Sequence, residues 1–271
     1  MEYNNNTIKK MYYGSSLVNM AVASGGDINM PANLSAVEYD DYGRMVSFTI
    51  KNGVTSIPTN YQNNNESLEI CTIPSSVTDI GSNAFSNVGK YNYSSTNKIF
   101  DVSNIDLSNV SGNTSFISIF VGSCLKGSIT IPNKLLSGST SGYTSTCYGL
   151  FSTAYALNKN GETLIINAYA DNVVIPRSMF NLASYSNVSD GLRLTIYGTP
   201  TFLSSACIGC STGGTVTFAD CTTPPDAPAY DKTNSSPFYN FNGTLYVPSA
   251  GLSAWQTKYP SIASQIKAIG T

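Results

Sequence analysis

The chain has 271 residues, of which 11% are charged and none is histidine, and its formal net charge is −2. Ordinary soluble proteins are about 25% charged; here Ser, Thr, Asn and Gly replace the missing ions and can solvate a surface through hydroxyls and amides. These numbers exclude the basic footprint that nucleic-acid binding by counterion release requires and, for want of any imidazole, Ser-His-Asp and Cys-His catalysis and His-ligated metals.

The opening residues, MEYNNNTIKKMYYG, carry no basic segment followed by an apolar one, so no secretory leader is expected. No apolar run approaches the roughly 20 residues that span a bilayer, so no membrane insertion is expected. Residues 1–45 do not repeat. The alternation from Ile8 to Tyr13, followed by YGSSLV, predicts a small hairpin. This segment reads either as a plain N-terminal cap or as an attachment module, with Tyr12, Tyr13 and Gly14 as the candidate attachment residues.

From residue 46 the chain repeats. FTIKNGVTSIPTNY lies on CTIPSSVTDIGSNAF with Ile50 over Ile73, Val54 over Val77, Thr55 over Thr78 and Ile57 over Ile80, an offset of 23 residues. Each formula begins with an apolar-x-apolar strand signal. The same signal recurs at Phe48–Ile50, Cys71–Ile73, Phe100–Val102, Ile129–Ile131, Leu164–Ile166, Leu194–Ile196, Val216–Phe218 and Leu245–Val247, in steps of 23, 29, 29, 35, 30, 22 and 29 residues. Steps of this size suit one coil of a solenoid, in which each short strand stacks parallel on the last and neighbours bury an apolar face that no coil can bury alone. Ile–Pro at 73–74, 131–132 and 175–176 suits the point where a strand leaves its ladder, because proline has no N–H to donate. The aromatics that follow, Phe85 and Phe180, are expected to plug the core from the return side. In the C-terminal segment 244–271, Leu252, Trp255, Tyr259, Ile262, Ile266 and Ile269 recur at three- and four-residue spacing, which predicts an amphipathic helix capping the open end of the core.

On these residues the chain resembles the BspA-like leucine-rich repeat family. Leu68, Cys71, Ile73, Pro74, Val77, Ile80, Ala84 and Phe85 each occupy a position of that family's rung, and the likeness covers residues 46–88 and the C-terminal segment. The resemblance implies an α/β repeat fold: a leucine-rich-repeat-like solenoid over residues 46–243 with short parallel strands and polar loops, then a last strand and helical cap over 244–271. Ile8, Tyr12, Gly14, Leu17 and Val18 also resemble short stretches near the start of tail and fibre components of phages infecting gut Bacteroidetes. The two likenesses together imply a structural protein of a virion, made in the host cytoplasm, as fibre, decoration or receptor-binding component. It would be a homo-oligomer or multi-copy, with other virion proteins and a host surface protein or glycan as partners. The alternative is a bacterial cell-surface adhesin, which would need the leader that the opening residues do not display.

Between the two apolar positions of each strand one residue should point away from the core. Thr49, Thr72, Asp101, Thr130, Thr195, Thr217 and Tyr246 are therefore the candidate partner-binding face, with Ile165 the apolar member of the same series. Threonine is also simply a good solvent-facing strand residue. The aromatic groups Tyr91 and Tyr93, and Phe238, Tyr239 and Phe241, either stack on sugar rings from polar loops or fill the core. Cys207 and Cys210 form a lone CIGC with Cys221 beyond it; no histidine can complete a metal site, and the six cysteines are expected to be buried apolar residues. Neither Asp40 and Asp41 nor Asp226 and Asp231 offer a spacing that predicts two carboxyls across a cleft, as a glycosidase needs. No enzyme and no cofactor is expected.

Overall fold

The computed structural model describes residues 33–89, 98–111, 116–158, 161–183, 189–228 and 236–271, together with the backbone of short strands within residues 2–17. Those N-terminal strands form two antiparallel pairs, Glu2–Asn4 with Thr7–Lys10 and Tyr12–Tyr13 with Ser16–Leu17.

The remainder is organised around one ten-stranded sheet whose strands lie side by side in chain order. They are β1 (Leu34–Tyr39), β2 (Met45–Ile50), β3 (Ile70–Thr72), β4 (Phe100–Asp101), β5 (Leu125–Ile131), β6 (Leu164–Tyr169), β7 (Leu192–Tyr197), β8 (Thr215–Phe218), β9 (Thr244–Val247) and β10 (Ile266–Ala268). Only the first pair is antiparallel; every later neighbour is parallel. This mixed sheet with few helices is compatible with an α/β repeat fold. All eight apolar-x-apolar signals fall in or directly against it, and their apolar members are buried.

The registers match the sequence offsets at three junctions and slip at four. Phe48 pairs with Cys71, Leu194 with Val216 and Val216 with Leu245, as the repeat predicts. Asp101, however, lies opposite Ile70 rather than Thr72, and Phe100 opposite Leu125 rather than Ile129. Ile129 lies opposite Ile166 rather than Leu164, and Leu164 opposite Leu192 rather than Leu194. Every slip is by two or four residues. An odd slip would turn a strand's apolar set to solvent, whereas an even one keeps it inward. The pleat therefore constrains parity strictly and register only through loop length.

Away from the sheet, successive segments of the chain are held together by left-handed corner residues. Asn60, Asn83, Ser118, Gly149, Ser178 and Ala206 all have positive φ. The N–H of each donates to a carbonyl one segment further along the chain, respectively of Ser82, Ile117, Tyr148, Arg177, Ala206 and Ser236, at 2.7–3.2 Å. A second such column runs through Asn64, Asn87, Gly122 and Thr153. Asn is the natural residue there because its short amide tolerates the left-handed region. Asn87 Nδ2 also donates to Asn64 Oδ1 at 3.0 Å. At Gly122, where φ is +67°, a Cβ would lie 2.2 Å from Asn87 Oδ1, so glycine is favoured there and a larger residue would have to displace the Asn87 amide.

Between sheet and corners runs a ladder of aromatic rings. Phe85, Phe120, Phe151 and Phe180 stack in sequence with centroids 6.1, 5.3 and 6.1 Å apart and ring planes within 22° of parallel. All four are buried. Phe85 and Phe180 thus plug the core from the return side, as the sequence predicts, and Phe120 and Phe151 continue the column between them.

The C-terminal segment departs from a single capping helix. Leu252–Lys258 is α-helical, Pro260–Gln265 continues as a 3-10 turn, and Ile266–Ala268 becomes β10, pairing parallel with β9. Pro260 lacks the N–H an α-helix would need and ends it. Ile266 therefore enters the core as a strand residue, while Ile269 is 45% exposed. Trp255 and Tyr259 are buried beside Phe218 and Phe238, with centroids 4.7 and 5.0 Å from them, and close the end of the core. The Trp255 indole N–H donates to the Cys221 carbonyl at 2.9 Å.

Because Phe120 has a ring on either side, Phe120→Ala should lower the free energy of unfolding by about 3–5 kcal/mol. Tyr239→Ala, at a half-exposed ring, should change it by less than about 0.5 kcal/mol. Equilibrium urea denaturation of both variants measures this, and equal effects would contradict the ladder's role.

Candidate functional site

The outward face of the sheet is built by strand alternation alone: every residue between two buried ones points to solvent. Parallel pairing then sorts the predicted face into rows. Thr130, Thr195, Thr217 and Tyr246 share one row, together with Asn167 and, on β10, Lys267. Thr49 and Thr72 pair with each other in a different row. Asp101 stands apart, between Ile70 and Lys126. Ile165, 40% exposed, lines up with Ser128 and Arg193, two residues earlier along the strands.

Charge on this face is confined. Near the starts of the strands Lys98 pairs with Glu69, and Lys126 with Glu162 at 2.7 Å, a hydrogen bond that raises the Lys126 pKa. The Arg193 guanidinium donates to the carbonyls of Asp190, Leu192 and Gly213 at 2.8–3.1 Å, which holds it against the backbone. The row from Thr130 to Tyr246 carries hydroxyls and one amide, and its first charge is Lys267.

At the strand exits the chain is laced across coils. Asn133 Oδ1 accepts the Asp171 N–H, Asp171 Oδ1 accepts the N–H and hydroxyl of Thr199, and Asp220 Oδ2 accepts the Gly198 N–H, all at 2.9–3.2 Å. Just before these loops Tyr169 and Tyr197 stack at 5.0 Å, and Tyr169 is 48% exposed.

One break in the face makes it concave. β4 ends at Asp101, and the chain then turns toward β3, where Asn104–Asp106 pairs with Ile73 instead of following β5. β5 runs on to Ile131. The result is a cleft of 490 Å³ between β3 and the outer half of β5, which brings two of the predicted residues, Thr72 and Thr130, to one site with Ser103, Asp106 and Ser128.

The other predicted residues are placed as follows. Tyr12 and Tyr13 form a strand paired with Ser16–Leu17; Gly14 lies outside the described residues, as do Tyr91, Tyr93 and Asp231. Phe238 and Phe241 are buried against each other, 5.6 Å between centroids, and only Tyr239 of that group is exposed. Asp40 and Asp41 occupy the turn between β1 and β2 rather than a strand. There Asp40 is paired with Arg44 at 2.6 Å, and hydrogen bonds from Arg44 and the turn hold its pKa below the ordinary carboxylate value. All six cysteines are free and buried. Sequence reasoning missed Asn167, Tyr169 and Tyr197 because it stopped each strand at three residues. Continuing the alternation through LIINAY and LRLTIY places a tyrosine outward at both exits.

No protein-family model matches the chain, and no curated protein matches it.

Burial pushes the thiols of Cys124 and Cys210 up to about 12 and that of Cys221 up to about 11 from a usual 9.0, with Cys71, Cys147 and Cys207 higher still. Above the ordinary thiol value the unfolded chain loses protons that the folded chain keeps, so stability falls as pH rises. With no histidine to titrate, the thermal midpoint should be flat between about pH 6 and 8 and fall above about pH 9. A midpoint that rises above pH 9 would contradict thiol burial.

Proposed function

We propose that this chain is a non-enzymatic structural and recognition protein of a phage particle, a leucine-rich-repeat-like solenoid of the BspA type that serves as a fibre, decoration or receptor-binding component. The observation that carries the reading is the uncharged row Thr130–Asn167–Thr195–Thr217–Tyr246, held on parallel strands that share one core. Nearly all the chemistry of the repeat goes into packing: stacked phenylalanines, corner asparagines and buried thiols fix the backbone and leave a broad polar face on one side. Repeat arrays use such faces to meet a partner. Displayed in several copies, weak contacts on this face would add through effective concentration, so modest affinity per copy suffices. The N-terminal hairpins supply the attachment to other virion proteins, and a host surface protein or glycan is the target.

Density-gradient separation of nuclease-treated culture lysate, with mass spectrometry for this chain, tests the reading. The expected result is co-migration with DNA-containing particles. Recovery only with bacterial envelopes would overturn it in favour of a cell-surface adhesin, and recovery only as free protein would contradict both.

A further inference from the structure

We infer that the cleft between β3 and β5, with the Tyr169–Tyr197 pair beside it, is a binding site for a neutral oligosaccharide, one sugar ring seated in the cleft and the chain running on over the tyrosines. The inference rests on the recognition reading above and names the chemical class its surface takes.

The cleft owes its chemistry to the early end of β4. In a parallel ladder the N–H and C=O of one residue point to the same neighbour. The Gly127 N–H donates to the Thr163 carbonyl on the β6 side, so Ser128 and Thr130 turn their backbone groups the other way, toward the cleft. The Ser128 N–H donates to Ser103 Oγ at 3.1 Å, and the Ser103 N–H donates to Asp101 Oδ1 at 2.9 Å. Ser103 is thereby fixed as an acceptor whose own hydroxyl hydrogen remains a donor. Asp106 is fixed likewise, its Oδ1 taking the Ser108 N–H at 2.8 Å. A second carboxylate oxygen, the hydroxyls of Thr72, Ser128 and Thr130, and the Asn104 amide complete a rim able both to give and to accept hydrogen bonds. Of the apolar residues along it, Ile73, Ile105 and Leu107 are buried in the core, and Pro132 is the half-buried one the cleft presents.

Hydroxyls, an amide and a carboxylate beside Pro132 match a sugar ring, whose hydroxyls radiate at the edge while its C–H groups form a face. The volume, 490 Å³, lies within the range of about 300–1,000 Å³ typical of small-ligand sites. The sign of charge narrows the class. Among the described residues the lining holds a carboxylate and no Lys or Arg, so a sulfated or uronic-acid polymer would meet repulsion there.

The tyrosines extend the site along one row. Ile131 pairs with Ala168, and Ala168 with Ile196, so Pro132, Tyr169 and Tyr197 follow one another at successive strand exits, about 4.8 Å apart per strand. Each tyrosine ring turns one face to the other, which leaves their hydroxyls and remaining ring surface to meet sugar oxygens and C–H groups. Tyr169 and Tyr197 already stack on each other, so little rotamer freedom is lost when a ligand arrives.

The test is native-gel affinity electrophoresis of the full chain in gels containing neutral polysaccharides (starch, xylan, mannan, mixed-linkage glucan) or polyanions (polygalacturonate, heparin). Retardation by at least one neutral polymer and by no polyanion is expected. Thr130→Trp, which fills the cleft from an exposed position, should weaken it at least tenfold and Tyr197→Ala about fivefold, while Tyr239→Ala leaves it unchanged. If Thr130→Trp does not fold, as judged by its thermal midpoint, Ser103→Val and Tyr197→Ala decide in its place. The inference is overturned if no neutral polymer retards the chain, if only polyanions do, or if the cleft variants bind as wild type. Its failure alone would leave particle co-migration intact; failure of the reading beneath it would show as loss of that co-migration in the wild-type chain.

Discussion

Pairing of one strand segment with the next is the constraint from which the molecule follows. A single segment here offers a strand of two to seven residues and a few turns, far too little to bury an apolar face alone. Three parallel columns solve the problem together: the sheet, the corner residues with left-handed backbone, and the phenylalanine ladder between them. Each column repeats at the strand spacing, so each enforces the others. The rings of Phe120 and Phe151 can lie 5.3 Å apart and nearly parallel only because their backbones are already spaced by hydrogen bonds, Phe120 N–H to Leu150 O and Phe151 N–H to Met179 O.

The sequence spoke most clearly where local and coil-to-coil demands coincide. Ile–Pro at 73–74 and the plugging rings Phe85 and Phe180 were legible because a strand exit and a core position each leave a residue-type signature. Phe120, in SFISIF, does the same work with no Ile–Pro in its repeat, and Phe151, in YGLFST, lies far beyond the Ile–Pro at 131–132, so both escaped. Register was legible to parity only: Phe100 faces Leu125 instead of Ile129 because both are inward residues and loop length, not pattern, chooses between them. At the C-terminus, Ile262, Ile266 and Ile269 fit a helical period, but Ile266 and Ala268 also alternate, and Pro260 decides for the strand.

The candidate face was legible in kind and not in arrangement. Alternation put Thr130, Thr195, Thr217 and Tyr246 outward, and strand pairing sets them in one row with Asn167, not Ile165, between the first two. It could not foresee that Asp101 would sit two residues off Thr72 and four off Thr130, because β4 contributes only two paired residues. That same brevity opens the cleft at Thr72 and Thr130, a feature made by what a strand omits, which no local motif encodes.

Structure and function meet in the near absence of charge. A face of hydroxyls, one amide and two stacked tyrosines, with its arginine bound to carbonyls, suits a partner read by shape and hydrogen bonds rather than by ionic attraction. Hydrogen exchange of the chain, with and without each of the neutral polysaccharides named above, tests this most directly. The account predicts new protection at the strand exits, in residues 103–108, 132–134, 169–173 and 197–201, with the return-side corners unchanged. Protection confined to the corners at residues 145–153 and 177–181, or to the C-terminal segment, would contradict it.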